Sequence, residues 1–136
     1  MSLLKPPVGP SPDLTRVVSL PRRPQLDLNS SKAQALTKHM TQLLQRHNPK
    51  CQCVGYCIKE LKPIQAWALY EASKAGGLLG AIGVGSGKTG LGLLMPLVMP
   101  NCKVAVILLP PGQVAQLERD HKQWSQHFRT PTLVTG

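Results

Sequence analysis

Five consecutive residues, Gly85-Ser86-Gly87-Lys88-Thr89, constrain this chain more than any others. Alternating glycines let the backbone curl tightly and turn its N–H groups inward. An apolar run at residues 78–82 leads into the loop, and Leu91, Leu93 and Leu94 follow it at helical spacing before Pro96. A loop of this kind, placed at a helix start, offers an anion both free N–H groups and the positive end of the helix dipole. The pattern therefore assigns phosphate binding to Gly83, Gly85, Ser86 and Gly87, with Lys88 reaching the β- and γ-phosphates of ATP and Thr89 placing its hydroxyl on Mg²⁺. The strict G-x4-G-K-[ST] spacing is not met, because Ile82 stands five residues before Gly87. The competing reading is a glycine-rich turn with an incidental Lys-Thr pair.

Periodicity places the remaining elements. Asn29, Ser30 or Ser31 can cap a helix carrying Leu36, Met40, Leu43, Leu44 and His47, which Asn48-Pro49 stops. Pro63 suits the first turn of a second helix, with Ile64, Trp67, Ala68 and Ala72 on one face and Gly76-Gly77 at its end. Residues 103–109, reading KVAVILL, form the clearest strand pattern. A helix is expected from Gln113 to about His127, with Val114, Leu117, His121 and Trp124 on one side, and residues 132–134 can begin a third strand. Strand, glycine loop, helix, strand, helix, strand is the order of an α/β fold with a parallel sheet and right-handed crossovers.

Composition divides the chain. Six of the 13 prolines fall in the first 24 residues, so residues 1–29 read as an extended, disordered basic arm. Residues 30–59 read as a helix with a Cys-containing connector, and residues 60–136 as the loop-bearing domain. The net charge is +10, of which +7 lies in residues 1–62. A basic surface attracts the phosphates of DNA or RNA without reading sequence, although a solvated arm that aids solubility has the same composition. Residues 78–99 are apolar enough to resemble a membrane span, but Lys88 and six glycines within them argue against one.

Cys51, Cys53 and Cys57 form C-x-C-x3-C with His47 just ahead. Thiolates and imidazole suit zinc, yet the spacing is not a C-x2-C knuckle and no second pair follows. Free thiols in an intracellular, reducing compartment are the other reading. His39, His121 and His127 have no partner within sequence reach and receive no chemistry. Trp67, Tyr70, Trp124 and Phe128 can stack on bases, but at helical spacing they read as core.

Three blocks together resemble the superfamily-two helicases and translocases, DEAD/DEAH-like proteins among which the Swi/Snf-type ATPases are most similar. They are Leu61-Lys62-Pro63-Ile64-Gln65, then Gly76-Gly77-Leu78-Leu79 running into Gly85-Ser86-Gly87-Lys88-Thr89, and then residues 104–111 followed by Gln116-Leu117 and Trp124. The resemblance implies that residues 60–136 are the front of a RecA-like P-loop domain, that Gln65 lies near the adenine, and that Lys88 and Thr89 serve ATP hydrolysis. It also implies a nucleic-acid partner. The acidic pair that such enzymes use to hold Mg²⁺ and prepare water is missing, since the acidic residues after Thr89 are Glu118 and Asp120 alone. A chain without it is expected to bind ATP but hydrolyse it poorly or not at all. Another P-loop NTPase or kinase, and a non-enzymatic basic module with zinc, are the alternatives. The partial sheet leaves the apolar face around residues 104–109 thinly covered, which predicts marginal stability or self-association.

Overall fold

The computed structural model describes residues 9, 11–19, 27–78, 80, 82–83 and 85–135. Among them lie five helices: α1 (Pro12–Ser19), α2 (Ser31–Leu44), α3 (Pro63–Ala75), α4 (Lys88–Val98) and α5 (Val114–Trp124). Within the expected arm, α1 is helical; most of the arm's other residues, like Leu79 and Ala81 of the apolar run and Val84 just after it, lie outside the described residues.

Helix starts follow local chemistry. Ser30 is the N-cap of α2, its hydroxyl accepting the Ala33 N–H at 3.2 Å. Pro63 opens α3, where its missing N–H has no partner to lose, and Gly76 closes it. The α3 start is tied to α2 by the Thr41 hydroxyl, which accepts the Leu61 N–H at 3.1 Å. Gly87 caps α4 in the left-handed conformation at φ 74°. The last expected helix is shorter than its periodicity suggests. It ends at Trp124, and residues 125–127 form a turn instead.

The core lies where α2, α3, α4 and α5 meet. Met40 and Leu44 of α2, Ala66 and Leu69 of α3, and Leu91 and Leu94 of α4 pack there. Leu117, Trp124 and Phe128 close the far side. Trp124 and Phe128 are thus core residues, as their spacing suggests. Trp67 and Tyr70 sit half-buried with their ring centroids 6.2 Å apart. Lys32 approaches the Trp67 ring and Lys74 the Tyr70 ring, at 5.9 and 5.5 Å from the centroids.

The expected α/β fold is overturned. No strand occurs among the described residues, and the single β-bridge joins Gln45 to Phe128, away from all three expected strands. An apolar run encodes an attraction to other apolar surface, but a strand exists only when another strand takes its N–H and C=O groups. Residues 103–109 have found no such partner, and Val104, Val106 and Leu108 are 83%, 80% and 90% exposed. Residues 132–134 likewise pair with nothing, with Val134 at 86% exposure. A RecA-like P-loop domain is defined by its parallel sheet. Without one, the resemblance to superfamily-two helicases does not hold, and neither do the helicase and P-loop assignments built on it.

Candidate functional site

The glycine loop retains a specific local shape. Gly85 and Gly87 both have left-handed backbone, at φ 77° and 74°, which a side chain would strain. Lys88 is the first residue of α4 and is exposed, while Ser86 and Thr89 are half-buried. The first turn of a helix leaves its N–H groups without intrahelical partners, so α4 presents donors beside the loop.

Two side chains from the start of α3 hold this loop. The Gln65 amide donates from Nε2 to the Gly87 carbonyl at 3.0 Å and accepts the Lys62 N–H on Oε1 at 2.8 Å. Gln65 is 3% exposed, so both halves of a buried amide are satisfied by this bridge. Lys62 Nζ donates to the Gly85 carbonyl at 2.7 Å. The structure therefore brings Gln65, Gly85, Gly87 and Lys88 together and adds Lys62. The sequence gives little notice of this role for Lys62, because its partner Gly85 is 23 positions away and only the fold brings the two together. Gln65 acts here as a strut for the loop. Gly83 is exposed and lies outside the bridge formed by Lys62 and Gln65.

The acidic residues after Thr89 are engaged elsewhere. Asp120 accepts from Gln116 Nε2 at 2.7 Å, and Glu118 accepts from the Thr135 hydroxyl at 3.0 Å. His121 contacts the Pro131 carbonyl at 2.8 Å through Nε2.

A second constellation lies in the connector between α2 and α3. Cys51, Cys53 and Cys57 are half-buried, unbridged thiols there. Cys51 Sγ and Cys57 Sγ are 3.5 Å apart. The Cys57 thiol, followed by the Cys53 backbone, pulls the Cys51 thiol below its ordinary range. Burial, followed by the neighbouring Cys57 and Cys51 thiols, pushes Cys53 up to about 11. His47, the imidazole nearest in sequence, is exposed and does not belong to the group. His127 does, and the sequence assigns it no chemistry. The turn after α5 carries it there. The Arg46 N–H donates to the His127 carbonyl at 3.0 Å, and the Arg129 N–H to the Leu44 carbonyl at 2.9 Å. Gln126 Oε1 accepts the Gln52 N–H at 3.0 Å, and Gln123 Nε2 donates to the Tyr56 carbonyl at 3.3 Å.

No described helix is long and apolar enough to cross a membrane. No protein-family model, curated protein or solved structure matches the chain.

Proposed function

We propose that this chain binds the polyphosphate tail of a nucleotide, ATP with its Mg²⁺, at the N-terminus of α4 and does not hydrolyse it. The observation that carries the reading is the left-handed Gly85 and Gly87 pair, braced by Lys62 and Gln65, directly ahead of Lys88. In this reading the free first-turn N–H groups, the positive end of the helix dipole and the Lys88 ammonium act on one anion, while Lys62 holds the loop in shape. Thr89 is the Mg²⁺ contact in this reading, and Ser86 a further phosphate donor. Both described acidic residues after Thr89 already hold other side chains, so neither is set to prepare an attacking water, which supports binding without hydrolysis.

Lys88→Ala tests it by titration with ATP and with adenosine. A charged donor to phosphate contributes roughly 1.5–3 kcal/mol, so ATP affinity should fall about 10- to 100-fold while adenosine binding stays the same. An unchanged ATP affinity would sink the assignment.

The surplus of basic residues supports a second, wider partner, the phosphates of DNA or RNA. Unbridged thiols at all four cysteines support a reducing, intracellular compartment. Self-association is supported by the exposed side chains of Val104, Val106 and Leu108. We expect sedimentation velocity to show concentration-dependent association that disappears in the Val106→Lys/Leu108→Lys chain. A wild-type chain that stays monomeric as concentration rises would remove that proposal.

A further inference from the structure

We infer that Cys51, Cys53, Cys57 and His127 bind one structural zinc ion that fastens the connector to the end of α5. The four ligand atoms, three Sγ and one imidazole nitrogen, all lie within 4.8 Å of one another. Tetrahedral zinc has Zn–S near 2.3 Å and Zn–N near 2.0 Å, which places its ligand atoms roughly 3.5–3.8 Å from one another. The 3.5 Å between Cys51 Sγ and Cys57 Sγ already matches that spacing. Small side-chain rotations bring the remaining atoms in.

An independent observation points the same way. His127 is 7% exposed, and its Nε2 has no hydrogen-bond partner, the sole such buried side-chain nitrogen or oxygen among the described residues. Leaving a buried polar atom unsatisfied gives up its bond to water with nothing in return, so native structures rarely keep one without a reason. A metal ion held by the three thiolates would occupy that nitrogen's lone pair.

The donor set selects the ion. Three thiolates and one imidazole in a closed tetrahedron suit zinc, while calcium and magnesium prefer oxygen ligands. Four protein ligands leave no open position for water or substrate, so the role is structural. The location explains what the ion would do. Cys51, Cys53 and Cys57 belong to a connector without helix or strand, which meets Gln123 of α5 and Gln126 of the following turn through hydrogen bonds at Tyr56, Gln52 and Asn48. A shared ion adds a strong link between segments 70 positions apart in sequence, counted from Cys57 to His127.

The test uses the full chain, produced with zinc and purified under reducing conditions without chelator. Metal analysis should return about one zinc per chain. Replacement by Co²⁺ should give the visible bands of tetrahedral cobalt together with thiolate charge-transfer absorption. Cys53→Ser and His127→Ala should weaken metal binding by more than about 100-fold, a larger loss than removing an outer-shell group causes. His47→Ala and Cys102→Ser should retain it. His127→Cys guards against simple misfolding, because it should keep the ion and shift the cobalt bands as the fourth donor changes from nitrogen to sulfur. A wild-type chain without zinc and without a cobalt spectrum overturns the inference. So does His127→Ala binding zinc as tightly as wild type, or peptide mapping that finds Cys51 and Cys57 joined as a disulfide.

Discussion

Replacing Phe128 by alanine should lower the stability of this chain by about 3–5 kcal/mol, the largest loss expected from any single truncation. Phe128 is fully buried and is among the three largest side chains so enclosed, with Leu69 and Leu94. Its ring meets Trp124 at 5.1 Å between centroids and 51° between planes, a tilted pair worth about 0.5–1.5 kcal/mol beyond its buried area. The backbone amplifies the effect. Phe128 pairs with Gln45 across the single bridge, so its ring anchors the turn that returns from α5 to the end of α2. Small domains have only about 5–15 kcal/mol in total. The melting temperature should therefore fall by on the order of 10 °C or more. Phe128→Leu keeps most of the apolar volume but gives up the ring pair, and should cost clearly less than Phe128→Ala. Urea denaturation followed by far-UV circular dichroism checks both. Equal midpoints for Phe128→Ala and wild type would mean that this turn contributes nothing to the core.

The features legible in the sequence are those decided within a few residues. Ser30 announces α2, Pro63 begins α3, Gly76 ends it, and α4 opens at Lys88. In each case one side chain or one backbone angle settles the boundary. The sheet is different. KVAVILL has the composition of a strand, but composition cannot supply a neighbour, and the exposed Val104, Val106 and Leu108 show the run without one. The same limit separates the two parts of the cysteine site. Cys51, Cys53 and Cys57 are visible as a local cluster, and His47 is the imidazole that local spacing offers. His127 reaches the cluster because the chain ends of α2 and α5 are joined at Gln45 and Phe128. No pattern within the connector encodes that contact. Gln65 lies between these cases. Resemblance places it near a nucleotide base, whereas the structure shows its amide bracing the loop at Gly87.

A pair of glycines two residues apart in α4 should respond to the same substitution with opposite signs. A methyl group added at Gly90 would overlap the indole ring of Trp124, whereas one added at Gly92 would meet nothing within 4 Å. Gly90 is buried, and Trp124 is 5% exposed and flanked by Phe128, so the ring has little room to retreat. Overpacking of this kind costs about 1–3 kcal/mol, more than the roughly 1 kcal/mol that alanine gains over glycine in a helix. Gly90→Ala should therefore destabilise the chain, and Gly90→Val more so, while Gly92→Ala should stabilise it by about 0.8–1 kcal/mol. A double-mutant cycle with Trp124→Leu isolates the cause. Once the indole is gone, Gly90→Ala should lose its penalty and behave like Gly92→Ala. If Gly90→Ala raises the melting temperature in the wild-type background, α4 and α5 are not in the close contact described, and the packing that places the start of α4 against Gln65 would need to be redrawn.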